Sequence, residues 1–255
     1  MPTTADFYYH LYEGSKEAHR PALVLIHGAG GTHLYWPAEV RRLAGWRVYA
    51  LDLPGHGKSS GRGLQSISAY AQAVLDWMSV LGIHSAIFAG HSMGGAIALS
   101  LALDHPDRVT GLILIGSGAR LKVSPELLEK SASSTTYQSA VELVIQWGFS
   151  ESSPKHLKEL AARRMLEIRS SVLHSDFLAC QAFDETARVE QIRQPSLLLY
   201  GSEDRLTPLR LGQYLEKQLP NAKLKTIPQA GHMVMLEQPL AVAQEMSDFL
   251  AGLYF

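Results

Sequence analysis

What most constrains this chain is an alternation. Six short apolar runs rich in aliphatic and β-branched residues recur along it: "ALVLIHG" at 22–28, "WRVYALDLPG" at 46–55, "SAIFAGHS" at 85–92, "VTGLILIGS" at 109–117, "SLLLYGSED" at 196–204 and "AKLKTIPQAGH" at 222–232. Between most of them lie stretches of helical period, at 67–81, 93–105, 209–219 and 239–253. Strands that are apolar on both faces are buried on both faces, and strands separated by helices pair in parallel. The pattern predicts an α/β fold, a mostly parallel central sheet flanked by helices. In such sheets the loops at the carboxyl ends of the strands hold the ligand.

The alternation stops between 119 and 190. The periodic pieces there, "AVELVIQWG", "KHLKELAARRMLEI" and "HSDFLACQAF", are helical in pattern and are joined by the polar segments "SASSTTYQS" and "SESSPK". We therefore expect a helical insertion at 119–190 in a core formed by 1–118 and 191–255. It either caps the carboxyl edge of the sheet or covers one of its faces. Trp147, Phe149, Met165, Phe177 and Phe183 are its candidates for lining a substrate pocket, against the plainer alternative that they form the insertion's own core.

Composition narrows the function. With 255 residues, 46% hydrophobic, the chain can bury one large core. A formal net charge of −1 gives no basic stripe for a nucleic acid, and no apolar run reaches the 18 residues of a membrane span. The first residues lack a secretory pattern, which makes the cytoplasm the default expectation. Cys180 is the only cysteine, so an internal disulfide and a cysteine metal cluster are excluded, and its expected role is that of a small buried apolar residue. No His-Glu-x-x-His or similar spacing points to a metal.

Two glycine-rich stretches imitate nucleotide sites. "GAGGTH" follows a strand but has His33 where a dinucleotide fingerprint needs its third glycine, and "GHGKS" has Asp52 where a phosphate loop needs its first. No cofactor is implied. Asp52 is expected to stabilise a turn.

The stretch "AGHSMGGA" at 89–96 carries more. An apolar strand precedes it and an Ala- and Leu-rich helix follows, ending before Pro106, so Ser92 sits on a strand-to-helix turn. That turn exposes the serine hydroxyl at the helix N-terminus and aims the Met93 amide where an oxyanion would form. A serine needs a base, and eleven histidines compete. His232 lies in a loop between the last strand and a helix starting near Pro239, on the same edge as Ser92. His91 is expected to point elsewhere, and His27 and His56 to make structural hydrogen bonds. Asp204 ends the strand "SLLLYG" and is a better orienting acid than Glu203, because its loop turns back through Thr207 and Pro208. The order Ser92, Asp204, His232 is that of a nucleophile, an acid and a base on three strand ends.

Through "HGAGG" (27–31), "DLPGHGKS" (52–59), "GHSMGG" (90–95), "GSEDRLTP" (201–208) and "AGHMVMLEQP" (230–239), the sequence resembles the α/β-hydrolase fold over nearly its whole length, in the serine hydrolase or carboxylesterase-like branch with a helical cap. The resemblance implies that the Ala29 amide, with Gly30 beside it, supplies the second half of an oxyanion hole with Met93. It also implies carboxylic ester hydrolysis through an acyl-enzyme. Serine at 92 argues against the dehalogenase and epoxide hydrolase branches. The near-neutral charge and apolar insertion suggest a small, uncharged, moderately hydrophobic ester with a short to medium acyl chain. Other activities on the same triad are cleavage of carbon–carbon bonds in diketone or dienone acids, and lactonase, thioesterase or haloperoxidase action. The first of these would be favoured by an arginine facing the pocket, for which Arg120, Arg163, Arg164 and Arg188 are available. A ligand-binding receptor on the same scaffold is the alternative from another class.

Overall fold

The computed structural model describes residues 3–4, 7–14 and 20–253. Its strands are β1 (Thr3–Thr4), β2 (Phe7–Glu13), β3 (Ala22–Ile26), β4 (Arg47–Asp52), β5 (Ala86–His91), β6 (Val109–Ile115), β7 (Ser196–Gly201) and β8 (Ala222–Ile227). They form one sheet in the order β1-β2-β4-β3-β5-β6-β7-β8. β2 runs antiparallel to β4, while β3 to β8 are mutually parallel, so six strands deliver their carboxyl ends to one edge.

The six apolar runs supply those six parallel strands. Alternate residues of each point to opposite faces. Val24, Ile26, Phe88, Leu112, Leu114 and Leu198 pack under α2 (Ile67–Val80) and α3 (Met93–Asp104). Leu23, Leu25, Ile87, Ile113, Ile115 and Leu199 face α1 (Ala38–Arg41) and α10 (Pro239–Ala251). β2 lies outside the six runs, since its "FYYHLYE" mixes aromatic and polar residues on an antiparallel flank.

α3 is buried on almost every side, which only a helix of small and apolar residues such as "MGGAIALSLALD" tolerates. α2 begins at Ser66, whose hydroxyl accepts from the Ala69 amide at 3.1 Å. Asp52 accepts from the amides of His33 at 2.7 Å and Lys58 at 2.9 Å, so it ties two turns together at the end of β4.

Between β6 and β7 the chain runs through α4 (Pro125–Ser131), α5 (Tyr137–Gly148), α6 (Lys155–Leu166) and α7 (Ser170–Ala182). Among the described residues this stretch contains no strand beyond the single bridge pair Arg120 and Asp184. α4 has no counterpart in the periodic pieces, being a short helix opened by Ser124 and Pro125. The last helices are α8 (Leu209–Gln218), after β7, and α9 (Val234–Glu237), which leads into α10.

Candidate active site

The turn at Ser92 has φ 52° and ψ −114°, a left-handed-side conformation rare outside glycine. Its neighbours explain how that is accommodated. A Cβ on Gly90 would overlap the Gly94 carbonyl, and one on Gly94 the Ile26 carbonyl of the adjacent strand. One on Gly95 would sit 2.5 Å from the Ser117 side chain. The glycines thus let β5 and α3 close on each other and on the neighbouring strands. Ser92 N donates to Ile115 O at 2.9 Å and Ser117 Oγ donates to Ser92 O at 2.8 Å, which fixes the turn. Serine usually opens a helix by capping it with its hydroxyl, but Ser92 makes no such bond, and its Oγ is left facing a cavity.

Asp204 follows β7. Its Oδ1 accepts from the amides of Leu206 at 2.9 Å and Thr207 at 2.8 Å, and its Oδ2 accepts from Thr207 Oγ1 at 2.7 Å. Oδ2 also lies 2.9 Å from His232 Nδ1, which in turn lies 2.9 Å from Thr207 Oγ1. Burial by itself would raise the Asp204 carboxyl. The adjacent His232 ring, its hydrogen bond and those from Thr207 outweigh burial and hold the pKa below the ordinary carboxylate value. His232 Nδ1–H is therefore pinned, and Nε2 carries the lone pair. Among the described residues no protein group bonds His232 Nε2 or Ser92 Oγ, and both residues line the same cavity.

Glu203 instead leaves its side chain exposed. His91 does not point away. Its Nε2–H donates to His232 O at 3.0 Å and its ring lies 4.6 Å from that of His232, so it braces the loop that carries His232. Burial, then the neighbouring His232, keeps His91 neutral, with a pKa well below the usual imidazole value.

After β3 the residues 28–31 form a turn closed by Gly31 N donating to Gly28 O at 3.0 Å. His27 Nδ1–H also donates to Gly28 O, at 2.8 Å, and His27 Nε2 accepts from Leu53 N at 3.0 Å. The trans peptide then sends the Ala29 N–H the opposite way from Gly28 O. Burial lowers the pKa of His27 to about 4, in keeping with the neutral ring this bonding requires. Neither the Ala29 nor the Met93 amide donates to a protein acceptor among the described residues.

The cavity measures about 620 Å³. Ala29, Ser92, His91 and His232 meet Tyr35, Leu127, Val144, Trp147, Phe177, Leu206 and Met233 in its lining. Of the aromatic and apolar candidates in the insertion, Trp147 and Phe177 are there. Phe149, Met165 and Phe183 are not: Phe149 and Met165 are buried in the core on one face of the sheet and Phe183 in the core on the other. Gly30 is also outside the lining, wedged beneath Leu173 and Met165. Cys180 is a buried residue at the cavity wall, and burial pushes its thiol pKa far up.

Four exposed cationic side chains, Arg120, Lys122, Arg205 and Arg210, also line it, and among the described residues no carboxylate does. Arg120 pairs with Asp184 at 3.2 Å and Arg205 with Glu151 at 2.8 Å. Arg164 and Arg188 are engaged elsewhere, with Leu34 O and with Asp104 and Glu185, and Arg163 lies at a separate surface hollow. Arg120 and Lys122 in the insertion and Arg205 and Arg210 after β7 are some 80 residues apart, which leaves no local pattern to read.

Beside Asp52 and Asp204 the structure buries a third carboxylate. Asp176, on α7, accepts from Gly30 N at 2.8 Å, from His56 Nε2 at 2.8 Å and from Tyr70 Oη at 2.5 Å. Its signal was available: Val172, Leu173, Asp176, Phe177 and Cys180 share one helix stripe, and an acid on a buried stripe needs partners.

Among the described residues no group of three or more His, Cys, Asp or Glu is arranged to hold a metal, and no helix is long and apolar enough to cross a membrane. Residues 21–239 match the family model described as alpha/beta hydrolase fold. A 2-hydroxy-6-oxo-6-phenylhexa-2,4-dienoate hydrolase from Burkholderia cepacia is 28% identical, over 97% of this chain and 93% of its own. A pimeloyl-[acyl-carrier protein] methyl ester esterase from Neisseria meningitidis is 30% identical, over 89% and 93%. The solved structure of a thermophilic esterase superposes with a TM-score of 0.80 at 32% identity, covering 96% of this chain and 98% of that one.

Proposed function

This chain belongs to the α/β-hydrolase family, and from that premise we propose that it hydrolyses carboxylic esters of short to medium acyl length through a Ser92, His232 and Asp204 triad. The observation that carries the reading is the one-sided bonding of His232. Its Nδ1 is held by Asp204 and Thr207 while its Nε2 opens onto the cavity that Ser92 shares.

His232 Nε2 takes the proton of Ser92 Oγ as that oxygen adds to the ester carbonyl. The carbonyl oxygen, now negative, is met by the unengaged amides of Ala29 and Met93, which need no reorganisation to receive it. Asp204 stabilises the imidazolium. The imidazolium then returns its proton to the departing alkoxide, leaving an acyl-enzyme and an alcohol. A water, deprotonated by the same nitrogen, releases the acid and restores Ser92. Residues 119–190 act as the cap, since Leu127, Val144, Trp147 and Phe177 line the cavity from that insertion.

The exposed cations favour a second reading within the same chemistry, a substrate that carries a carboxylate. The relative that cleaves a phenylhexadienoate acts on such an acid, which keeps carbon–carbon bond hydrolysis as the alternative.

The test is a panel of neutral esters, esters with a terminal carboxylate, lactones, thioesters and diketone acids, run with wild type and Ser92→Ala. The expected result is ester turnover that falls about a million-fold in Ser92→Ala. Preference for diketone acids would move the assignment to the second reading. Retained activity in Ser92→Ala would overturn the mechanism, and no turnover together with no phosphonate labelling of Ser92 would leave a binding protein.

A further inference from the structure

The oxyanion turn is held from two sides. His27 pins the peptide between Gly28 and Ala29 from the core. The next peptide, between Ala29 and Gly30, is pinned from the cap, because Gly30 N donates to the Asp176 carboxylate at 2.8 Å. Gly30 has φ 62°, at the third residue of a turn whose central peptide can flip by half a revolution between two turn types. A carboxylate facing the Gly30 N–H admits one of those orientations and repels the other, which would present the Ala29 carbonyl oxygen to it.

Asp176 is equipped for this. It is wholly buried, and each of its oxygens is occupied: Oδ2 by Gly30 N and His56 Nε2, Oδ1 by Tyr70 Oη. His56 donates from its other nitrogen, Nδ1, to Pro54 O at 3.1 Å, so both ring nitrogens carry protons and the ring is an imidazolium paired to the carboxylate. Tyr70 Oη accepts from Leu64 N at 2.9 Å, which ties the cluster to the start of α2. Cap helix α7 also presses on the turn directly, since a Cβ on Gly30 would lie 2.8 Å from Leu173 Cδ1. Asp176 does not line the cavity.

We propose that Asp176 is the positioning residue of the oxyanion hole, a carboxylate supplied by the cap that holds turn 28–31 in one form, so that its first peptide, pinned by His27, keeps presenting the Ala29 amide to the substrate oxygen only while α7 is seated on the core. The cap is thereby part of the catalytic framework as well as the wall of the cavity. This inference rests on the reading of Ala29 as an oxyanion donor.

The test is Asp176→Asn, which keeps the side chain's size and one acceptor but removes the charge that holds His56 and orients Gly30. Its kcat should fall by about 10- to 100-fold with KM changed less than about threefold, the signature of a misaimed donor. A trifluoromethyl ketone, whose hemiketal oxygen occupies the hole, should lose affinity in parallel with kcat/KM. Asp176→Glu, with the charge kept but displaced by a methylene, should not restore either value. A folded Asp176→Asn with unchanged kcat and unchanged ketone affinity overturns the proposal, as does a rise in KM alone. Should that variant not fold, amide exchange in the wild type decides: the Gly30 N–H should exchange as slowly as the core strands, and fast exchange overturns the proposal. Loss of activity in Ser92→Ala with a normal Asp176→Asn sinks only this inference, whereas activity retained in Ser92→Ala sinks the mechanism beneath it.

Discussion

Two buried clusters of this protein contain the same chemical parts and are wired differently. Asp204, His232 and Thr207 stand at the ends of β7 and β8; Asp176, His56 and Tyr70 join α7, the loop after β4 and α2. Each has a carboxylate, an imidazole and a hydroxyl within hydrogen-bond distance. In the second cluster both imidazole nitrogens are spent, one on Asp176 and one on Pro54 O, so the ring holds its proton and a fixed charge pair results. In the first only Nδ1 is spent, and Nε2 faces the cavity. Residue type therefore does not separate the proposed general base from a structural ion pair. The accessibility of one nitrogen does.

The largest expected effect comes from Asp204→Asn, which should lower kcat by about ten-thousandfold while leaving the fold intact, because an amide favours the wrong imidazole tautomer. Steady-state kinetics beside circular dichroism measure it. A loss under tenfold would mean that the free nitrogen of His232 is not the base, and the contrast would fail.

Asp176→Ala strikes the other cluster and should lower stability in addition to the fall in kcat expected of Asp176 variants. Removing the carboxylate strands a buried imidazolium and the Gly30 amide, at a cost of about 3–5 kcal/mol in urea unfolding.

The two clusters should also part with pH. Burial lowers the His56 pKa, but the Asp176 charge and hydrogen bond outweigh it and raise the value above the ordinary 6.5, with Asp52 adding to the rise. The neutral His27 ring packs 4.8 Å away and Tyr70 completes the surroundings. A raised pKa means that this stability is fully present below the unfolded-state value and is lost as pH rises through the folded one. Asp204, whose pKa is depressed, contributes stability present above the ordinary carboxylate range and lost as pH falls through its folded value. Urea midpoints measured from about pH 6 upward should decline in wild type and flatten in His56→Gln. A wild-type midpoint that holds steady across the alkaline side would remove the ion pair.

A smaller contrast separates neighbours on the insertion. Trp147 lines the cavity and Phe149, two residues on, is buried in the core. Phe149→Ala should cost about 3–5 kcal/mol and leave the ranking of acyl chains alone. Trp147→Ala should shift that ranking by severalfold at a smaller cost in stability, as read from kcat/KM across a chain-length series.

Much of the frame was legible because its causes are local. An unbroken apolar run such as "SAIFAG" is apolar enough for a buried strand, and glycines at 90, 94 and 95 announce a turn too crowded for Cβ atoms. β2 is not legible in the sequence, because "FYYHLYE" alternates too loosely to declare itself without its partner β4. Phe149, Met165 and Phe183 were indistinguishable from Trp147 and Phe177, since an apolar side chain lines a cavity or fills a core by the same preference.

From sequence alone follow the parallel sheet, the helical interruption between β6 and β7, and the order of serine, acid and histidine on three strand ends. These depend on periodicity and on residues near one another in the chain. Only the tertiary structure decided that Asp176, 146 residues beyond Gly30, holds that residue's amide, that four cations gather around one cavity, and that His232 keeps a nitrogen open while His56 keeps none. Hydrogen-bond partners and charge clusters arise from which distant segments the packed helices bring together, and no local pattern encodes that.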